Sequence, residues 1–492
     1  GAQLVRNDVR STVLTLVDSA LLDAGGDITL LSRGSASIKA LLTDQKLPPL
    51  DGNEETSDPA AEAPADVTAA EEPAADAASA SMALKGLIAT NLVLSDVRVT
   101  VLDSDLHAGG DLSMLARNAA NIDAENSAKA DASGAAVGVT LAFNTIGWKA
   151  QNVLFSALDT LLGTSIGDEQ PAQILATVTN SNLVADGNLS VDAEAQEQIN
   201  ATIANEASSS GASVAAGMVL ASNLLSARAR ASVTPSLTTP RRVTLSAGGS
   251  LQVTASDEAG ITADVSMIAS SGGAAAVGGL VVRNDVRSQV LAEVENVDGA
   301  ATEDFWVLAL ESATIEATLA GETKSLATAA DPATDAAAAD TVATDSTSTA
   351  DAATGGTGTD TTAAGGSPLA LNGLIATNLV LSEASAKISH SDLTVDGNLS
   401  VQADNIATIL ADNSASLESD GSAVGVTLAF NTIGWKPQNL FANAIDTLLG
   451  TDALGSEQPA SVSAMVLDSA MTVGGDLSVT AGGLGEDPEG PV

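Results

Sequence analysis

Asp186-Gly187-Asn188-Leu189-Ser190-Val191-Asp192-Ala193 is a turn followed by a short strand. Gly beside Asp or Asn is turn chemistry and tolerates positive φ. Strict alternation follows it. Leu189, Val191 and Ala193 take one face, and Ser190 and Asp192 take the other, as in a strand with one buried side. The theme returns as Ala24-Gly25-Gly26-Asp27-Ile28-Thr29-Leu30 and Ala108-Gly109-Gly110-Asp111-Leu112-Ser113-Met114. It appears again at Gly248–Val253, Asp396–Val401 and Gly474–Val479. Repetition predicts stacked β modules. Leu189 and Val191 are expected inside, Ser190 outside, and the equivalents of each module in register.

A second theme is apolar throughout and ends in Asn. It reads Gly138-Val139-Thr140-Leu141-Ala142-Phe143-Asn144, Gly217-Met218-Val219-Leu220-Ala221-Ser222-Asn223 and Gly278-Gly279-Leu280-Val281-Val282-Arg283-Asn284. Related runs end at Asn7, Asn91, Asn378 and Asn431. Continuous apolar runs suit strands buried on both sides. An inward Asn at a turn of a parallel β-helix hydrogen-bonds its own backbone and the Asn of the next coil. The seven asparagines are therefore expected as turn or ladder residues, ahead of any ligand-binding role. The shortest interval runs from Asn91 to Asn144. It holds four clear strand-like runs, Val97–Leu102, Leu112–Ala116, Asn121–Ala124 and Ala135–Ala142, and two coils fit its length.

These modules sit inside a much longer repeat. Phe143-Asn144-Thr145-Ile146-Gly147-Trp148-Lys149 returns as Phe430-Asn431-Thr432-Ile433-Gly434-Trp435-Lys436, a shift of 435 − 148 = 287 residues. Val5-Arg6-Asn7-Asp8-Val9-Arg10 likewise matches Val282-Arg283-Asn284-Asp285-Val286-Arg287. The expected organisation is solenoid over 1–48, an acidic low-complexity insert over 49–83, and solenoid over 84–326. An Ala/Thr/Asp-rich insert follows over 327–370, then solenoid over 371–492. The chain begins and stops within repeats, which suggests a section of a longer polypeptide. Such inserts cannot bury enough apolar surface to fold alone, and are expected as solvated loops. After each Gly-Trp a short amphipathic helix is expected on the solenoid flank, over about 150–162 and 437–449. Its stripes are Leu154, Leu158, Leu161 and Leu162, and Phe441, Ile445, Leu448 and Leu449. Trp148 and Trp435 would pin its entry, or serve as lateral contacts between neighbouring chains or repeats.

Composition narrows the function classes. Hydrophobic residues make up 45% of the chain but aromatics only 2%, which fits a thin Ala/Val/Leu interior better than a thick globular core. Formal charge is 19 − 62 = −43. That argues against nucleic acid and anionic membranes as partners and favours divalent cations. Without Cys there are no disulfide staples, so stability must come from stacking. No apolar segment is long enough to be a membrane span.

Catalytic chemistry is not signalled. His107 and His390 are not repeat equivalents, and no Ser-His-Asp set, Cys/His metal set or phosphate loop appears. No cofactor is expected, beyond weak Ca²⁺ binding at Gly-Gly-Asp turns or Asp-rich inserts. The Arg groupings are Arg6/Arg10, Arg283/Arg287, Arg228/Arg230 and Arg241/Arg242; the first two pairs are expected to pair with Asp8 and Asp285.

Gly-Asp-Leu-Ser-Val-x-Ala, an Ile-Asn-Ala-Thr type strand, and Gly-Ala-Ala-Val-Gly-Val-x-Leu-Ala-x-Asn together resemble the β-strand-repeat regions of giant bacterial surface adhesins. The leukotoxin-family filamentous adhesins and filamentous-haemagglutinin-like proteins are of this kind. The resemblance implies an all-β, elongated parallel β-solenoid, extracellular or at the cell surface, used for adhesion or filament building. It implies self-association, neighbouring repeats, or host-surface and matrix glycans as partners. A polysaccharide-binding or polysaccharide-cleaving parallel β-helix is the alternative. The flank helix and acidic inserts depart from the family pattern.

Overall fold

The computed structural model describes residues 1–43, 81–148, 156–157, 160–161, 170–211, 213–238, 240–326, 368–434 and 460–482. The chain winds through seven coils, each with a long strand, a short strand and a second long strand. Coil 1 is β1 (Ala2–Asp18), β2 (Leu21–Ala24) and β3 (Ile28–Thr43); coil 2 is β4 (Ala83–Leu102), β5 (Asp105–Ala108) and β6 (Leu112–Ala132). In coil 3 the first strand is split into β7 (Ala136–Ile146) and β8 (Ala172–Thr179), before β9 (Asn182–Ala185) and β10 (Leu189–Ser209). Coil 4 is β11 (Val214–Thr234), β12 (Val243–Ala247) and β13 (Leu251–Ser271); coil 5 is β14 (Ala275–Glu295), β15 (Val297–Ala301) and β16 (Phe305–Ser325). Coil 6 is β17 (Leu369–Ser389), β18 (Asp392–Val395) and β19 (Leu399–Ser419). Coil 7 repeats the split, with β20 (Ser422–Ile433), β21 (Ser461–Leu467), β22 (Ala470–Val473) and β23 (Leu477–Gly482).

Like strands of successive coils pair in parallel and form three sheets. Sheet A holds the first long strands, sheet B the short ones and sheet C the second long ones. Sheets A and C face each other, and B closes one side. The molecule is a parallel β-solenoid. A 21-residue strand has a contour of roughly 70 Å, whereas seven coils at ~4.8 Å each rise only about 30 Å. This stretch of solenoid is therefore wider than it is tall.

Period-2 patterning sets the interior. Leu112, Leu189, Leu251, Phe305 and Leu399 lie in register in sheet C and are all buried. Val191 is buried too, while Ser190 is half-buried, because Ser113 and Gln252 flank it on the adjacent coils. Three expectations need correction. The 53 residues from Asn91 to Asn144 make one coil and not two. The runs Leu112–Ala116 and Asn121–Ala124 are one strand, β6, since alternation continues through Asn118 and Ala120 without a change of parity. The asparagines also lie in mid-strand and not at turns.

The Gly-Gly-Asp and Asp-Gly-Asn corners between sheets B and C differ from expectation as well. Only Gly147 and Gly434 among the described glycines have positive φ. From coil 2 onward the corner glycines are required by close approach to the coil before, whereas Gly25 and Gly26 of coil 1 have open space around them. A Cβ on Gly249 would stand 2.5 Å from Asn188 Oδ1, and one on Gly475 2.5 Å from Asn398 Oδ1. Those oxygens accept from the next coil's backbone. Asn188 N donates to Asp111 at 2.7 Å, Ser250 N to Asn188 at 2.9 Å and Asp476 N to Asn398 at 2.8 Å. Left-handed backbone is used at the A-to-B corner instead, by Ser19, Asp103, Asn180, Asn296, His390 and Asp468.

The insert between β3 and β4 falls outside the described residues from 44 to 80, and the one between β16 and β17 from 327 to 367. Strands resume at Ala83 and Leu369, slightly inside the expected insert boundaries.

Candidate functional site: asparagine ladder, tryptophan station and acidic seam

The seven asparagines form one continuous ladder. Nδ2 of Asn7 donates to Oδ1 of Asn91 at 2.7 Å, and the pattern repeats from Asn91 to Asn144, Asn144 to Asn223, Asn223 to Asn284 and Asn284 to Asn378, each at 2.8 Å. Asn378 ends it on Asn431 at 2.7 Å. All six bonds point the same way along the axis. In coil 4, Asn223 sits between the inward Ala221 and Leu225. The five inner amides are buried, and each uses its oxygen and one N–H on the ladder. Such aligned amides polarise one another and fix the register of the coils. They present no face to a ligand.

The Gly-Trp stretch interrupts sheet A. Gly147 turns out of the strand at φ 75°, its N–H bonded to Val93 O at 3.0 Å. The chain returns where Gln170 N donates to Gly147 O at 3.0 Å. Trp148 is only 2% exposed. A residue so closed cannot make the lateral contact expected of it. Its ring instead lies under Arg287 of coil 5, with the guanidinium carbon 4.8 Å from the centroid. Arg287 and Arg283 both bind Asp285, at 2.9 and 2.7 Å. Burial alone would raise the Asp285 carboxyl, but the two guanidiniums hold it below the usual aspartate value. Around this station outward residues of sheet A are covered: Leu92, Phe143, Leu220, Ser222 and Leu224 are all buried.

Of the expected flank helix, Ser156, Ala157, Thr160 and Leu161 are described and are helical. Thr160 Oγ1 donates to Ser156 O at 2.8 Å and Thr160 is buried, whereas Leu161, expected on the buried stripe, is 51% exposed. The contact face is turned toward position 160, one helical step of about 100° from 161. Leu154, Leu158, Leu162, Trp435 and the 437–449 helix lie outside the described residues. In coil 1 the matching Arg6–Asp8–Arg10 cluster is paired but open, with Arg side chains 58% and 59% exposed. The other Arg groupings also serve ion pairs and polar contacts: Arg228 binds Gln289, Arg230 binds Glu293, and Arg242 binds Asp298 and Asp392. His107 Nδ1 is 3.0 Å from Asp23 on the open face of sheet B.

A third feature was not singled out in the sequence. Asn118, Glu197, Asp257, Glu311 and Asn405 point into the solenoid from sheet C and are buried. Asp257 pairs with Glu311, and Glu311 with Asn405, in adjacent coils; Glu197 lies two residues beyond Ala195, the partner of both Asn118 and Asp257. Gly34 makes room at the start of this seam, since a Cβ there would stand 2.6 Å from Asn118 Oδ1. Asn118 Nδ2 donates to Glu197 Oε1 at 3.1 Å, and Ser382 Oγ donates to Asn405 Oδ1 at 2.8 Å. Five carboxylate oxygens have no hydrogen-bond partner: Glu197 Oε2 and both oxygens of Asp257 and Glu311. Burial is the main cause that lifts all three acids. It raises Asp257 to about 6, and, with the Asp257 charge added, takes Glu197 and Glu311 well above the usual glutamate value. Parity was the available signal. Glu197 is eight residues after Leu189, Asp257 six after Leu251 and Glu311 six after Phe305, all even offsets from inward residues.

Among the described residues no group of three His, Cys, Asp or Glu is placed to hold a metal ion. No described helix is long and apolar enough to cross a membrane. Site and fold together define a parallel β-solenoid with an internal amide ladder, a polar seam and one tryptophan station. Comparison with protein families, curated proteins and solved structures finds no match.

Proposed function

We propose that the chain is a structural and adhesive section of a giant secreted repeat protein, working at the cell surface or in an extracellular matrix. The observation that supports this best is the unbroken asparagine ladder. It spends its polar groups on holding coil upon coil in register, as a load-carrying scaffold needs. Positions 287 residues apart fall four coils apart, so Gly147 and Gly434 recur at about 19 Å along the axis. Equivalent strand exits therefore recur along the axis, and weak contacts made near each would sum to avidity. Self-association, neighbouring repeats and surface or matrix glycans are the partners in view. Electron microscopy of the native assembly tests the proposal. Filaments or lateral arrays are expected, and isolated particles that bind no surface would count against it.

The alternative, a polysaccharide-binding or polysaccharide-cleaving β-helix, draws on one feature. An open groove of about 390 Å³ runs over the outer face of sheet C, lined by Glu194, Gln196, Glu258, Leu310, Asp404 and Ile406. Glycan arrays with a turnover screen separate the readings, since cleavage of any glycan would make scaffolding only part of the function.

A further inference from the structure

We propose that the acidic seam is a proton-dependent lock on the middle of the solenoid. Glu197, Asp257 and Glu311 close into coils 3, 4 and 5 as protonated or proton-sharing carboxyls, and these coils loosen when the protons leave to solvent.

The geometry carries this. Three carboxyl groups on adjacent coils are sealed inside, and among the described residues only Asn118 donates to any of their oxygens. The Asp257 charge bears on both glutamates and further favours their protonated forms. The groups facing them from sheet A are Ser288 of β14, Ala227 and Ala229 of β11 and Ser382 of β17; Ser288 Oγ, like five of the carboxyl oxygens, has no hydrogen-bond partner among the described residues. No basic side chain faces the seam among the described residues. Arg228 and Arg230 flank the inward Ala229 and pair outside with Gln289 and Glu293. Arg283 and Arg287 belong to the tryptophan station, and Lys387 pairs with Glu293. On the outer face beside the seam, Glu194 pairs with Arg117 at 3.4 Å, and the Glu258 charge raises Asp257 further. With no counter-ion, a buried carboxylate is tolerated only by keeping its proton.

The sign follows from linkage. An acid whose folded pKa lies above its unfolded value takes up a proton on folding. Its stabilisation is complete below the unfolded value of ~4. It is lost as pH rises through about 6 for Asp257 and through the raised folded values of the two glutamates. Repulsion among the many surface carboxylates builds up mainly at lower pH, where ordinary Asp and Glu ionise.

The test uses the full chain. The urea midpoint is followed by circular dichroism from pH 5 to pH 8 for the wild type and the isosteric variant E197Q/D257N/E311Q. The wild-type midpoint is expected to fall across this range and the variant's to fall much less, the remainder coming from Asp192, which burial also lifts to about 6. A control, D264N/E316Q/D412N, neutralises exposed acids on β13, β16 and β19 and is expected to keep the fall. Infrared spectroscopy of the wild type at about pH 7, where surface acids of pKa ~4 are ionised, is expected to show a protonated carboxyl band that fades as the pH is raised further. That measurement decides the matter even if the triple variant does not fold. Absence of the band overturns the lock, as does a variant that retains the wild-type slope or a control that loses it.

Discussion

Arg287 lies 4.8 Å from the centre of the Trp148 ring, although Trp148 leaves coil 3 and Arg287 belongs to coil 5. The insert therefore ties together coils that share no strand pairing. Trp148→Ala would remove a fully buried ring, at a cost of ~3–5 kcal/mol, of which the cation–π contact accounts for roughly 1 kcal/mol. Trp148→Phe would keep most of the packing. Urea denaturation is expected to rank wild type above Phe above Ala. Limited proteolysis should find the Ala variant cut first around the insert. An Ala variant as resistant as wild type would show that the ring carries no such tie.

The ladder predicts a gradient between its middle and its edge. Asn223 accepts from Asn144 and donates to Asn284 in a closed interior, so Asn223→Ala leaves a donor and an acceptor unsatisfied. The expected loss is about 2–5 kcal/mol. Asn7 is half-buried and only donates, to Asn91. Asn7→Ala is expected to cost ~1 kcal/mol. Chemical denaturation of both variants checks the ratio, and equal losses would mean that the ladder is not a linked chain.

Asp285 and Asp8 occupy repeat-equivalent positions and differ in cover. Asp285→Asn strands two covered guanidiniums at a cost of about 3–5 kcal/mol. Asp8→Asn breaks an exposed cluster for ~0–1 kcal/mol. Since Arg287 and Arg283 hold the Asp285 carboxyl below its usual value despite burial, its contribution is complete above pH ~4 and is lost as pH falls through the folded value. The acid limb of the stability profile should therefore move clearly in Asp285→Asn and only slightly in Asp8→Asn, where the Arg10 hydrogen bond lowers an exposed carboxyl.

The fold class was legible because alternation after each glycine corner repeats with fixed parity, and the seven asparagines stood out because Asn in an apolar run is unusual. Coil size was not legible. Outward polar residues such as Asn121 and Asp123 look like breaks, yet in a strand open to solvent on one face they interrupt nothing. The acidic seam was hidden for a related reason. In a chain of charge −43, Glu197 and Asp257 look like surface acids unless their parity is counted from Leu189 and Leu251. The contact of Trp148 with Arg287 was not legible either, since the two lie well over a hundred residues apart.

The glycine corners give a prediction that separates two physical explanations. Gly187 has ordinary negative-φ backbone, so alanine there meets no left-handed strain. Its Cβ would instead overlap Oδ1 of Asp111 in the previous coil and press on the Gly110 backbone. Gly187→Ala is expected to cost about 1–3 kcal/mol by overpacking. Asp111→Ala removes the acceptor of the 2.7 Å bond from Asn188 N, at ~1 kcal/mol. If close approach is the cause, the two changes are coupled, because removing the carboxylate makes room for the new methyl. The double variant should then lose less stability than the two single losses together, by at least ~0.5 kcal/mol. If the glycine were needed for its backbone conformation alone, the losses would simply add. A double-mutant cycle by urea denaturation distinguishes the outcomes. The same cycle at Gly475 and Asn398 should give the same sign, since there too a Cβ would meet the oxygen that caps the next coil.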